Sequence, residues 1–517
     1  MRRKRECVKQ RKNIRVKTYG KISGTATVLS TYILLALQAV LILSAYAVAA
    51  YFCKIFFFVS LGLTALCCVL AVAFKKTVNA KISWLVLLIL SCGSGYIIYF
   101  LAAEPVCLFI RLKKHKAAFM RTRKFNKQFI EPDAPTAVKD ICNYLYSSAD
   151  CPPYFGAGLK YFSSATDFFE DFFNRLESAE KFIFIEFFII ADGKLLQRLT
   201  DILSRKASAG VEVRLIYDGV GSLGTVSPKA INRLKKGGVN LKKFAPPVSL
   251  FSFGLNFRDH RKIVVVDGQT SYVCGCNIAD ECVNACNVKG EWKDAGIRLD
   301  GECTDALTLA FIRQWDVCAK TKTATKNYLA TQTDVAQENC AVTVPYFSGP
   351  EYDGSICREV YLEMIKSAQK KLYIFTPYLA PDKAFLKAIK SKAKSGVDVR
   401  LVLPTVPDWK FLYYVTLSNA QSLIKSGAKI YFAENAFAHG KVILSEACAS
   451  VGSANLDMRS FNLEYDNGVF TNDTQVLNDI EEDFNSVFSA NSPVNKIKRN
   501  PIKKLAAQIL KLVAPLM

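Results

Sequence analysis

His260-Arg261-Lys262 and His439-Gly440-Lys441 repeat one H-x-K pattern in a chain of 517 residues that holds three histidines in all. Imidazole is the side chain best suited to nucleophilic attack and proton transfer near neutral pH, so two copies in separate halves point to one site built from both. Each copy leads into an apolar run, Ile263-Val264-Val265-Val266 in the first and Val442-Ile443-Leu444 in the second. On a strand, residues i and i+2 face the same way, so each histidine projects beside its lysine. A glycine-asparagine turn follows each run, Gly275-Cys276-Asn277 and Gly452-Ser453-Ala454-Asn455. The chemistry open to this set is phosphodiester cleavage. One imidazole attacks phosphorus and the other protonates the departing alkoxide, while Lys262 and Lys441, with Asn277 and Asn455, hold the non-bridging oxygens. The acid then acts as base, so water or any bound hydroxyl can accept the phosphoryl group. No metal and no other cofactor is required by this scheme. A single H-x-K before an apolar strand would be accidental; the duplication with matching turns carries the reading.

The wording around both copies is specific. Arg258-Asp259-His260-Arg261-Lys262-Ile263-Val264-Val265-Val266-Asp267-Gly268 and Gly452-Ser453-Ala454-Asn455-Leu456-Asp457-Met458-Arg459-Ser460-Phe461 resemble the phospholipase D superfamily, whose H-x-K-x4-D motif occurs once per half, and within it the bacterial cardiolipin synthases. The resemblance runs over nearly the whole chain. It implies a phosphohistidine intermediate, Asp267 and Glu446 as the acids of the two motifs, and Ser453 beside the substrate-binding asparagines. It also implies that Asp294, in Trp292-Lys293-Asp294, orients the far imidazole nitrogen for one half and Asp466 for the other; both can equally be ordinary solvated carboxylates. Four departures stand out. Glu446 replaces the motif aspartate, the loop before Gly452 is one residue shorter than that before Cys274, Cys274 replaces a glycine, and Leu463-Glu464-Tyr465-Asp466 stands where Leu-Asn-x-Glu is usual. The motif acid supports the site and is not the nucleophile, so these changes are expected to retune the second loop. The intact first motif assigns attack to His260 and proton donation to His439. The reaction implied joins two phosphatidylglycerol molecules into cardiolipin and glycerol. A hydrolytic phospholipase D, a weakened lipid-binding scaffold and a membrane-tethered nuclease are the alternatives.

The elements that must position these residues are legible as an internal repeat with a spacing of about 180 to 190 residues. Ala179-Glu180-Lys181-Phe182-Ile183-Phe184-Ile185 is echoed by Ala368-Gln369-Lys370-Lys371-Leu372-Tyr373-Ile374, and Gly210-Val211-Glu212-Val213-Arg214-Leu215 by Gly396-Val397-Asp398-Val399-Arg400-Leu401. Strand, helix, strand alternation predicts an α/β fold of two tandem phospholipase D-like sandwiches, residues 136–335 and 336–492, related by a pseudo-two-fold with the motifs at the interface.

Ahead of them lie a basic arm (1–27), an α-helical membrane segment (28–104) and a basic linker (105–135). Val28 to Ala50 and Tyr51 to Phe74 each meet the length of a span, about 20 residues. The stretch from Ile82 to Ala103 carries Cys92-Gly93-Ser94-Gly95 and is expected to bend or re-enter. The net charge of +23 concentrates beside these segments: ten Lys or Arg against Glu6 between Arg2 and Lys21, and eight with no acid from Arg111 to Lys127. Anionic membrane lipids are therefore the expected partners, not nucleic acid, and both basic runs are expected to lie in the cytoplasm with the catalytic body. Seventeen cysteines, odd in number and scattered through apolar segments, argue against a disulfide framework. Cys274, Cys276, Cys282 and Cys286 cluster, but their spacing matches no common zinc site. The tail, 493–517, has helical apolar spacing with lysines able to reach a membrane plane. Oligomeric state leaves no trace in the sequence.

Overall fold

The computed structural model describes residues 36–497, apart from 38, 75–77, 92, 104, 246–255, 287–289, 331–340, 407, 409, 434 and 435. Two mixed sheets form the body. In the first the spatial order is Gly158–Phe162, Gly296–Asp300, Thr270–Cys274, Ile263–Val266, Phe182–Phe187, Glu212–Asp218 and Asn240–Phe244. In the second, Tyr154–Phe155 forms the edge, followed by Val342–Ser348, Asp466–Thr471, Ala449–Gly452, Val442–Ser445, Lys371–Phe375, Asp398–Pro404 and Lys429–Ala433. Beyond that extra edge strand the two orders correspond one to one. The repeat seen in the sequence is thus a repeat of topology. In both sheets the strand after the motif histidine runs antiparallel to the central strand (Ile183 opposite Val266; Leu372 opposite Ser445), and the G-V-acid-V-R strand runs parallel on its other side.

The central strands are buried along nearly their whole length because helices or a second sheet cover both faces. Ala165–Glu177 is capped by Ser164, whose side chain accepts from the amides of Thr166 and Asp167, and it buries Phe168, Phe169, Phe172, Phe173 and Leu176 at helical spacing. With Lys194–Ser208 it covers one face of the first sheet. The opposite face shares a single core with the second sheet, and Thr304–Ala319 lies within that core. This explains why that helix is apolar nearly all round.

Two expectations need correction. Residues 136–155, read as the start of the first sandwich, belong to the second. Thr136–Ala149 packs Val138, Ile141 and Leu145 into the joint core beside Ile356–Ser367, and Tyr154 pairs with Thr343. The basic segment after 105 is not a bare linker: it forms the helix Pro105–Thr122, fastened to Thr304–Ala319 by an Arg121–Asp316 ion pair of 3.1 Å and an Arg313 to Thr122 hydrogen bond of 2.6 Å.

Among the described residues one helix, Lys54–Ala73, is long and apolar enough to cross a membrane; Ala39–Phe52 and Lys81–Leu90 are shorter. The expected break in the third apolar stretch is present, with helices Val78–Leu90 and Gly95–Ala103 on either side of Gly93 (φ +91°). Thr64 donates to the Gly93 carbonyl at 2.8 Å, and Cys67, Ala71, Trp84, Leu88 and Tyr99 form a small core there. The arm and all of the tail beyond residue 497 lie outside the described residues, as do residues 28–35 of the expected first span.

Candidate active site

Each H-x-K is delivered by pairing with the opposite half. Ala436–Ala438, which precedes His439, runs parallel to Glu291–Lys293 of the first half, and the His439 amide donates to the Lys293 carbonyl at 2.8 Å. In mirror fashion Asp259 bridges Tyr465, and the His260 amide donates to the Tyr465 carbonyl at 2.9 Å. The residue after each accepting carbonyl is a carboxylate. The orienting acids are therefore exchanged between the halves: Asp466 Oδ1 holds His260 Nδ1 at 2.8 Å, and Asp294 Oδ2 holds His439 Nδ1 at 2.7 Å. Both acids are fully buried, which excludes the alternative of ordinary solvated carboxylates. With Nδ1 engaged in this way, Nε2 is the atom of each ring turned to chemistry, that of His439 lying 3.1 Å from Lys441 Nζ.

Both lysines are buried beside the histidines. Lys262 Nζ donates to the His260 carbonyl at 2.7 Å, and Lys441 Nζ reaches across to the Gly275 carbonyl at 3.4 Å while lying 2.7 Å from His439 Nδ1. Burial, together with Lys262, depresses His260 well below the usual imidazole value. Burial and Lys441 depress His439 to about 4, against the pull of Asp294. Burial also lowers both lysines, Lys441 to about 8. Asp294 stays below the usual carboxylate value: burial would raise it, but Lys441 and His439 outweigh that. Asp466 is raised by burial, which its Ser453 hydrogen bond and Lys262 only partly offset. Two buried ammonium groups beside the paired imidazoles give the site the positive charge that a phosphoryl group requires.

The turns explain their glycines. A Cβ on Gly275 would come within 2.3 Å of Asp294 Oδ1, and one on Gly452 within 2.4 Å of the Asn467 carbonyl. Ser453 stands where the first half has Gly275, and its hydroxyl donates to Asp466 Oδ1 at 2.7 Å. Asn277 and Asn455 are both buried, and among the described residues their side-chain carbonyl oxygens have no hydrogen-bond donor, which leaves them as acceptors for a donating group.

Asp267 and Glu446 are elsewhere. Asp267 accepts from the amides of Glu180, Lys181 and Phe182, at 2.8 Å each, and Glu446 from those of Gln369, Lys370 and Lys371 at 2.7 to 3.3 Å. They tie the motif strand to the start of the central strand, a supporting role as expected of the motif acid, exercised through backbone amides, so they are not to be grouped with the catalytic residues. The longer Glu446 does in the second half what Asp267 does in the first.

Sequence reasoning missed several contributors. Glu464 Oε2 lies 3.9 Å from His260 Nδ1, and Trp292 and Phe188 pack on His439 and His260 with ring centroids 4.8 and 5.0 Å apart. Arg261, the middle residue of the first motif, points away from the site into a buried network with Glu186 (3.2 Å), Asp259 (3.4 Å) and Gln314 (3.0 Å). His260, Glu464 and Asp466 are the one trio of potential metal donors among the described residues. Arg459 already pairs with Glu464 at 2.7 Å and Lys262 bears on Asp466, which makes the trio a poor seat for a further cation. Cys274, Cys276 and Cys282 are buried, but the cysteines do not come together as a group of potential metal donors among the described residues.

Two imidazoles, each braced by the other half's carboxylate and flanked by a lysine, define a phosphodiester-processing site on a duplicated α/β frame. Residues 172–288 and 361–488 match the family described as cardiolipin synthase, PLD-like domain. The chain is 31% identical to a cardiolipin synthase of Geobacillus thermodenitrificans over 87% of its own length and 92% of that protein. It is 33% identical to a cardiolipin synthase of Staphylococcus aureus over 69% of its length and 73% of that protein. A crystal structure of phosphatidylserine synthase from Haemophilus influenzae shares the fold, with a TM-score of 0.58 at 16% identity, over 74% of this chain and all of that one. The chain belongs to the cardiolipin synthase family, phosphatidyltransferases of the phospholipase D type.

Proposed function

We propose that this protein transfers a phosphatidyl group between two phosphatidylglycerol molecules, giving cardiolipin and glycerol. His260 Nε2 attacks phosphorus, the bond to the headgroup glycerol breaks, and His439 gives that alkoxide its proton. The hydroxyl of a second phosphatidylglycerol then surrenders its proton to His439 and attacks the same phosphorus, breaking the P–N bond and freeing His260. The observation that carries this reading is the reciprocal bracing of the two imidazoles beside two buried lysines. The order of roles is supported by the charges. Lys441 and His439 keep Asp294 below the usual carboxylate value whereas burial raises Asp466, so the more anionic partner stands behind His439, as suits the acid. Lys262 and Lys441 neutralise the phosphoryl oxygens, with Asn277 and Asn455 beside them. The enclosure of both histidines, 6% and 7% exposed, favours a lipid hydroxyl over bulk water as acceptor.

The apolar segment ahead of the body anchors it: Lys54–Ala73 crosses the membrane within a hairpin, the broken stretch to Ala103 lies at or within the near leaflet, and the body faces the cytoplasm. Incubating the purified protein with labelled phosphatidylglycerol and separating the products tests the reaction. Cardiolipin with glycerol is expected, without added divalent metal; phosphatidic acid alone would instead mark a hydrolase. His260→Ala and His439→Ala should each lower turnover by orders of magnitude, as for residues acting as a unit. Full activity in either would overturn the mechanism.

A further inference from the structure

The remaining histidine, His115, lies on the helix Pro105–Thr122, between the apolar segment and the body. It is 4% exposed, and its Nε2 is buried without a hydrogen-bond partner among the described residues. Its ring stacks on Tyr465, centroids 4.9 Å apart and planes 28° from parallel. Arg261 lies over the Tyr465 ring at 5.2 Å and Phe244 meets its edge at 5.6 Å, so the tyrosine is clamped. Tyr465 in turn holds the catalytic loop: its carbonyl accepts the His260 amide at 2.9 Å, its amide donates to the Arg258 carbonyl at 2.8 Å, and its neighbour Asp466 grips His260 Nδ1. One helical turn before His115, Arg111 donates to the Phe257 carbonyl at 2.9 Å, three residues ahead of His260.

We infer that His115 is a positioning residue for the phosphoryl-transfer site: its ring, pressed on Tyr465, fixes the loop that carries Asp466 and so the attitude of His260, and it ties that attitude to the helix arriving from the membrane segment. The requirement is for a flat, neutral ring. Arg111 on its own helix and Arg261 from the motif loop both bear on His115, and burial with these two charges holds it well below the usual imidazole value. A third positive charge there would be unfavourable, whereas a neutral flat ring stacks on Tyr465 without adding one. The inference rests on the reading of His260 as a catalytic group and extends it.

Full-length His115→Phe and His115→Leu separate ring from volume. In His115→Leu, kcat should fall about tenfold or more with KM within about twofold, because a histidine misplaced by a fraction of an ångström loses transition-state alignment and not lipid binding. His115→Phe should stay within about twofold of the unmodified protein. A second readout needs no lipid: the pH dependence of His260 acylation by diethyl pyrocarbonate, mapped by mass spectrometry. The groups bearing on His260 are Lys262, Lys441, His439, Glu464 and Asp466. A loosened Asp466 changes that balance, so the midpoint should move in His115→Leu and stay put in His115→Phe. Unchanged kcat and midpoint in His115→Leu, or equal losses in both variants, would overturn the inference, as would loss of folding in both. Should His115→Leu alone fail to fold, normal values in His115→Phe would still support the ring. A wild type inactive on phosphatidylglycerol would sink the transfer reading alone, and the acylation midpoint would then decide this one.

Discussion

Lys441→Met should make the protein more stable and nearly inactive. Lys441 is 2% exposed, and burial draws its ammonium from an ordinary value of 10.5 down to about 8. At one unit per about 1.4 kcal/mol, keeping that charge in the folded site at pH 7 costs about 3 kcal/mol. The sign follows from the depressed value. Below pH 8 both states bind the proton and the cost is present in full; as pH rises from 8 through 10.5 the folded site has released it and the cost fades. Part of the gain is returned, because Lys441 is the strongest charge holding Asp294 ionised, and that carboxylate is left with His439, the Ala295 amide and the Trp292 indole. A net gain of about 1 to 2 kcal/mol at pH 7 is expected, since methionine fills a similar volume without a buried charge. Activity should fall by about two to three orders of magnitude with the loss of one phosphate-neutralising group. Thermal unfolding in detergent at pH 7 and pH 10, alongside the lipid assay, measures both. A variant no more stable than wild type at pH 7, a stability difference equal at the two pH values, or retained turnover would each refute the reasoning.

Glu446→Ala removes an acceptor from three backbone amides at a partly exposed strand start; water can replace it, so a loss of about 1 kcal/mol in thermal unfolding is expected, with activity reduced far less than in His439→Ala. Complete inactivity of a well-folded Glu446→Ala protein would show that the residue does more than brace the strand. Asp294→Asn should impair protonation of the leaving group, so a phosphodiester with an acidic leaving group such as p-nitrophenol should restore its turnover but not that of Asp466→Asn; the opposite pattern would make His439 the nucleophile. Single cysteines introduced beyond residue 130, in a background cleared of native thiols, should resist membrane-impermeant maleimide on intact cells. Strong labelling there would place the body outside.

The histidine-lysine pairs stood out because the pattern recurs with matching turns, although they lie just ahead of the strands Ile263–Val266 and Val442–Ser445 and not on them as strand alternation predicted, and the two sandwiches because their strands repeat nearly word for word. What a linear reading could not supply is which carboxylate meets which histidine. The exchange of Asp294 and Asp466 depends on Ala436–Ala438 and Tyr465 crossing to the other half, a matter of assembly and not of spacing. Asp267 and Glu446 stand in the motif as regularly as the histidines, yet they face backbone amides: a pattern records that a residue is needed without saying for what. Residues 136–155 carried an apolar stripe with no sign of its partner, and chain order suggested the wrong sheet. His115 was in plain view as the third histidine, but its neighbour Tyr465 lies 350 positions along the chain.

The exchanged carboxylates also set when the protein becomes able to act. During synthesis the ribosome releases His260 long before Asp466, and Asp294 long before His439. On the proposed roles, a nascent first half has an unbraced nucleophile and no acid, so no phosphatidyl transfer is expected from it. On the same roles, competence waits until the second half closes onto the first and gives each imidazole its carboxylate.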